Sequence, residues 1–435
     1  MSEPTALSVA LTPLRPVALK DVDNNIEFIV RAVAPQLPKD YQRSTLALAL
    51  VIDTSGSMDG EPLEEAKRCA EFVRSQLNQN DRIGIVRYSN NAHVVLPMSE
   101  PISEPFQEAL SELNANGFTN LMGGWESGRG LLTQINERFD VKRIILLSDG
   151  HLNRGITEPR VIKHLCSESL RWGVSTSTYG IGQRFDEKVM TLMAEVGGGR
   201  ARYGERLQDL MEPFMEELTM LSQLYGTRVI LKVTPAQGVT LTCASRLPKL
   251  SEDEYLMADL AYASEVWAGF RGTATAEAIA SGEPLLRVEV RCESGESSAS
   301  AEGSLTLPSV NQSAFEVVAK DPLVEKYLGE LHVSDLRDEA AEAAERRDWG
   351  RVAELIKQMK ALPATAWLQK QIEALEEFAH RRDEVMMMKE ARMSSSSARF
   401  ASHGSYQEYM SGMSEDISKR RKSRMGRAHD PDQGS

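Results

Sequence analysis

The sequence predicts an α/β protein: a doubly wound, mostly parallel sheet inserted into a β-sandwich and followed by helices. Three observations carry this. Between residues 46 and 223, apolar strand-like runs alternate with amphipathic segments, the βαβ signature of a sheet with helices on both faces. In residues 1–43 and 226–310, short alternating runs separated by turn residues mark antiparallel strands. From 313 to 392 the apolar spacing is helical. Antiparallel runs on both sides of an α/β segment read as a guest domain (44–225) inserted into a host sandwich. Insertion is easy where the ends of the guest lie close together.

Within the guest, strands are expected at 46–52, 81–88, 92–98, 143–148, 175–180 and 201–203. Helices are expected at 63–77, 104–113, 120–135, 159–172, 187–195 and 207–222. Asp59, with Pro62 three residues later, signals a helix start, so the loop after the first strand runs into a helix N-terminus. Gly197-Gly198-Gly199 punctuates a helix-to-strand turn. Host strands are expected at 7–11, 26–33, 228–234, 239–243, 254–259, 265–272 and 285–292. Residues 340–356 read as two helices joined at 348–350, a hairpin of tetratricopeptide type without a second copy at that period. A longer helix, 365–392, follows Pro363. From 393 to 435 the composition collapses into Ser, Gly, Arg and Met, which predicts a disordered tail.

Composition narrows the function. The 435 residues are 41% hydrophobic and 26% charged, ordinary for a globular protein. Net charge is −13, which argues against nucleic acid as a partner of the body. The tail holds seven Lys/Arg and five Asp/Glu, so it carries +2 and the remainder −15. No apolar run approaches the ~20 residues of a membrane helix, and the first residues lack the pattern of a signal peptide. Cys69, Cys166, Cys243 and Cys292 are far apart and form no C-x-x-C pair, against zinc modules and a disulfide framework. Cytoplasmic residence is the expectation.

Five oxygen-bearing side chains fall where one hard cation could gather them. Asp53, Ser55 and Ser57 lie in Asp53-Thr54-Ser55-Gly56-Ser57, directly after the first apolar run. Thr119 lies in Gly117-Phe118-Thr119-Asn120, and Asp149 follows Ile144-Ile145-Leu146-Leu147-Ser148. Two buried-type strands thus end in aspartates, at the carboxyl edge where a parallel sheet has its ligand crevice. Carboxylates and hydroxyls suit Mg²⁺ or Ca²⁺ and not zinc or copper. A helix cap would explain Asp53, Ser55 and Ser57 but leave Thr119 and Asp149 as coincidences.

The pattern D-x-S-x-S…T…D resembles the metal-ion-dependent adhesion site of von Willebrand factor A domains, over about residues 44–223. Leu147-Ser148-Asp149-Gly150 with Asn153 and Gly155, then Gly180-Ile181-Gly182, resembles the bacterial branch. That branch is related to inter-alpha-trypsin inhibitor heavy chains and calcium-activated-chloride-channel-like proteins. Phe118 departs from the glycine that many relatives carry before the threonine. The resemblance implies direct serine ligation, aspartates acting often through water, Mg²⁺ (or Ca²⁺/Mn²⁺) as the ion, and a coordination position left for a partner's Asp or Glu. It implies a sandwich interrupted by the A domain, and no catalysis.

Rival chemistries lack their motifs. Asp53-x-Ser55 departs from the D-x-D of aspartyl-phosphate phosphatases. There is no P-loop and no G-x-S-x-G, and Gly180-Ile181-Gly182 lacks the third glycine of a dinucleotide cradle. His151 is read as solvated rather than as a rim contact, Met122 and Trp125 as core rather than a contact shelf, and Met386-Met387-Met388 as a helix face. Lys419-Arg420-Arg421-Lys422-Ser423-Arg424 in the tail is read as solvated rather than as a contact for anionic lipid, nucleic acid or an acidic partner, and serines 394–397 and Tyr406 as accessible to phosphorylation. Glu408, Glu415 and Asp416 offer carboxylates to another copy's metal site, a route to self-association through the tail. The expected function is metal-dependent protein binding. The alternative is a regulatory or assembly subunit of a larger system, such as an AAA+ ATPase or a Ser/Thr kinase–PP2C phosphatase pair.

Overall fold

A computed structural model describes residues 6–149, 154–182, 187–204, 206–294, 297–362, 366–384, 386–388 and 391. The tail expectation, His151, the basic cluster, serines 394–397 and Tyr406 fall outside these residues.

The α/β part is a six-stranded sheet in the order Ala92–Ser99, Arg82–Tyr88, Leu46–Asp53, Val141–Ser148, Val174–Ile181, Gly198–Gly204. Every neighbour pair is parallel except the edge strand Ala92–Ser99, which returns by a hairpin and is antiparallel. The sequence dictates two faces. Leu46, Leu48, Leu50 and Ile52 pack among helices Glu61–Ser75, Ser103–Ser111 and Leu207–Ser222. Ala47, Ala49 and Val51, the smaller alternates, face helices Leu121–Gln134, Pro159–Arg171 and Glu187–Val196. Small residues on that face admit close packing. A Cβ on Gly128 would lie 2.5 Å from Val51, and one on Gly124 2.5 Å from the Tyr88 ring. The Leu121–Gln134 helix therefore lies directly on the sheet and brings its N-terminus to the carboxyl edge.

Gly197 is the turn between helix Glu187–Val196 and the last strand, as expected of the glycine run, but Gly198 and Gly199 already belong to the strand Gly198–Gly204, which begins three residues before the expected 201. A Cβ on Gly199 would sit 2.1 Å from the Thr176 carbonyl, so the pairing strand leaves no room for one. Helix Glu61–Ser75 takes Gly60 as N-cap, with φ 80°, and not Asp59. A 3₁₀ turn, Gly56–Met58, comes first, and the chain reverses at Gly60 through a conformation open to glycine.

The host has two sheets. One orders Ser8–Pro13, Asn24–Val33, Glu265–Ala274 and Val239–Cys243; the other orders Glu254–Leu256, Leu224–Pro235, Leu286–Ser294 and Ser297–Leu305, with Leu260–Ala261 beside Leu224–Pro235. Phe28, Val30 and Phe270 from the first meet Leu231, Val288 and Val290 from the second in one core. Residues on either side of the α/β segment thus share a sheet, Asn24–Val33 pairing with Glu265–Ala274 along ten residues. The guest's ends lie together: the Ser44 N–H and the Tyr41 hydroxyl both donate to the Ser222 carbonyl, at 3.2 and 2.8 Å.

Helix Pro322–Glu345 seats Val324, Tyr327, Leu328 and Leu331 on Ile29 and Trp267 of the sandwich. It turns at 346–348 into Trp349–Ala361, two residues earlier than the expected junction. Asp348 caps the second helix by accepting the Arg351 N–H at 3.0 Å. Helix Ala366–Arg381 follows, ending short of the expected 392. Met387 is buried in this helical core, as read for the methionine run.

Candidate metal site

Asp53 ends the Leu46–Asp53 strand, and its neighbours clamp it. Its Oδ2 accepts the Ser148 hydroxyl at 2.6 Å from one adjoining strand and the Tyr88 hydroxyl at 3.3 Å from the other. Its Oδ1 accepts the Ser55 N–H at 2.8 Å. Burial pushes the Asp53 carboxyl up to about 6; the Asp149 charge adds to the rise, against hydrogen bonds from Ser148 and Ser55 that lower it. Burial and the Asp53 charge likewise raise Tyr88 well above the ordinary phenol range, so its hydroxyl stays a donor. Asp149 is buried directly after the Val141–Ser148 strand, which pairs in parallel with Leu46–Asp53. Two carboxylates therefore share one end of two adjacent strands.

The hydroxyls come from two loops stitched together by backbone. The Ser55 and Ser57 hydroxyls are 3.1 Å apart, Ser55 buried and Ser57 exposed. The Gly56 N–H donates to the Gly117 carbonyl at 3.0 Å, and the Asn116 N–H to the Thr54 carbonyl at 2.8 Å. The Asn120 N–H donates to Ser89 at 2.9 Å, and the Asn120 side chain caps the next helix by accepting the Gly123 N–H. Between these anchors Thr119 is buried, 1% exposed. Gly117 holds φ 75°, and a Cβ there would meet the Asn90 amide at 2.8 Å.

The helix-cap account fails on geometry. Gly60 stands at the N-cap of helix Glu61–Ser75, and the Ser55 side chain makes no cap bond. Trp125 is buried and donates its indole N–H to Thr176 at 2.9 Å, and Met122 is buried beside it, as expected of core. Sequence reasoning missed Ser148 and Tyr88, which hold Asp53, and Asn90, which braces the threonine loop. Ser148 and Tyr88 read as the last residues of apolar strands, and nothing in the pattern distinguished them.

The donor chemistry fits a hard divalent ion. All five side chains offer oxygen, and a buried carboxylate pair gains from a cation's charge. Among the described residues no cluster of three His, Cys, Asp or Glu could hold a metal; the candidate set has only two carboxylates and takes its other donors from hydroxyls.

Comparisons with known proteins identify the fold that carries these residues. The family model of the von Willebrand factor type A domain matches residues 47–214. The uncharacterized protein YfbK of Escherichia coli is 30% identical over 42% of this chain and 33% of its own length. Human inter-alpha-trypsin inhibitor heavy chain H3 is 25% identical over 48% of this chain and 25% of its own. The chain thus spans about a third or less of these two relatives. The solved structure of a von Willebrand factor type A protein from Catenulispora acidiphila superposes with TM-score 0.65 at 16% identity, covering 91% of this chain and 98% of that one. At that identity it speaks for the fold alone, and it does so across sheet, sandwich and helices together. Residues 47–214 are a von Willebrand factor type A domain.

Proposed function

We propose that this protein binds other proteins through a divalent ion held by Asp53, Ser55, Ser57, Thr119 and Asp149. One observation carries the reading: two buried strand-terminal aspartates meet two hydrogen-bonded loops that supply the hydroxyls. Mg²⁺ suits the set, with Ca²⁺ or Mn²⁺ as substitutes, because hard cations take oxygen donors. The ion would supply a site for a partner's Asp or Glu carboxylate, and no catalytic step is assigned. The body's −15 repels acidic partners in general, so attraction at the crevice gives selectivity that the overall field cannot. Four free cysteines favour a reducing compartment, and we place the protein in the cytoplasm. Among the described residues no helix is long and apolar enough to cross a membrane.

Calorimetric titration of Mg²⁺, Mn²⁺ and Ca²⁺ into the full chain tests the reading. Binding is expected for wild type and lost in Asp53→Ala, with Thr119→Ala weakened about tenfold for one missing hydroxyl ligand. Equal binding by wild type and Asp53→Ala would overturn the assignment.

A further inference from the structure

Resting on that metal reading, we infer that the partner's acidic residue carries an apolar neighbour that packs on Phe118. Phe118 directly precedes the buried Thr119, yet it is itself 57% exposed. The backbone around it is fixed. The Phe118 N–H donates to Asn90 Oδ1 at 2.9 Å, Gly117 O accepts from Gly56, and Asn120 is tied to Ser89. A large apolar side chain held in water on a braced loop is a preorganised contact surface, because its ordering cost is met in the free protein.

A second loop meets the same brace. Arg154 Nη1 donates to Asn90 Oδ1 at 3.4 Å, and Gly155 sits so close to Asn120 that a Cβ would lie 2.3 Å from its Oδ1. Arg154 is exposed, and Ile156, two residues on, is 37% exposed. The rim therefore offers a cation, an aromatic ring and an aliphatic chain beside the site. Its complement is an extended acidic segment in which an Asp or Glu lies within two residues of a Phe, Leu, Ile, Met or Trp. The carboxylate supplies direction and the apolar residue supplies desolvated area. Phe118 is on this account the residue that sets specificity beyond the bare acid.

Panning a random twelve-residue peptide phage library on the full chain in Mg²⁺, with elution by EDTA, reads both requirements at once. For wild type, EDTA-eluted peptides should be rich in Asp/Glu, with an apolar residue within two positions at about three times its library frequency. Phe118→Gln and Phe118→Gly should keep the acidic enrichment and lose the apolar one, and a selected peptide should bind them about tenfold more weakly. Ile102→Gln, altering an exposed apolar residue on another surface, should change neither. Acidic enrichment without apolar neighbours, or apolar enrichment unchanged in both Phe118 variants, overturns this inference and leaves the metal reading standing. No acidic enrichment among EDTA-eluted peptides removes the metal–carboxylate reading and this inference with it.

Discussion

Asp53 shows how a single residue carries both a cost and a use. In the metal-free protein its carboxyl sits at about 6, against an ordinary 3.8, because burial and Asp149 disfavour the charge. The sign follows. Between pH 3.8 and 6 the folded state binds a proton that the unfolded state has released, so stability falls as pH rises through that window. The gap corresponds to about 3 kcal/mol. Urea unfolding in EDTA should therefore show wild type losing stability from pH 4 to pH 7 relative to Asp53→Asn, which has no such proton to lose (~3 kcal/mol). Parallel pH profiles for the two proteins would refute this. Mg²⁺ should stabilise wild type more at pH 7 than at pH 5, since at pH 5 a proton competes for the ligand. The five candidate ligands were legible in the sequence because each follows an apolar run or a glycine turn. Ser148 and Tyr88 were not, since their role is to hold Asp53 across strands, and strand order is invisible to local pattern.

At the scale of elements, the helix Leu121–Gln134 links packing to the site. Gly124 and Gly128 let it lie on Tyr88, Val51 and Ala49, and Tyr88 donates to Asp53. Gly124→Ala should drive a methyl into the Tyr88 ring and displace that hydroxyl. We expect a loss of about 1–3 kcal/mol in urea unfolding from overpacking and a weaker Mg²⁺ isotherm. Gly130→Ala on the same helix meets nothing within 4 Å and should stabilise slightly by helix propensity. If Gly124→Ala and Gly130→Ala behave alike, the helix does not position the site. Most elements were readable because their apolar period matches their burial, as in Leu46–Asp53. Ser297–Leu305 escaped notice: its Ser-Ser-Ala-Ser-Ala-Glu-Gly-Ser run has no β-branched or aromatic residue. It forms by pairing along Leu286–Ser294, a neighbour that supplies the order its own sequence lacks.

For the whole molecule, the insertion was readable from the matching alternation before 43 and after 226, but the bond between guest and host was not. Arg143 is fully buried at the amino end of the Val141–Ser148 strand. It pairs with Glu217 of the guest at 2.6 Å and with Asp259 of the host at 2.6 Å. Ser175 and Ser177 accept further bonds from its guanidinium, and Tyr179 donates to Glu217. Burial alone would raise Glu217, yet Arg143, Ser177 and Tyr179 hold it below the ordinary carboxylate range. We propose that residues 44–225 form a separable unit that this arginine locks to the sandwich. Truncating one member of a buried ion network leaves its partners charged in a dry interior, which typically costs about 3–5 kcal/mol. Arg143→Met should therefore destabilise the full chain by about that amount, because it strands two carboxylates. Arg143→Met combined with Glu217→Gln and Asp259→Asn should recover most of the loss, since no uncompensated charge remains. Asp259→Asn alone should loosen both units, and amide exchange followed by mass spectrometry locates the effect. Faster exchange is expected in the guest strand Val141–Ser148 and in the host strand Leu224–Pro235 together. Acceleration confined to the host would mean that Asp259 serves the sandwich alone, and the proposed lock through Arg143 would be wrong.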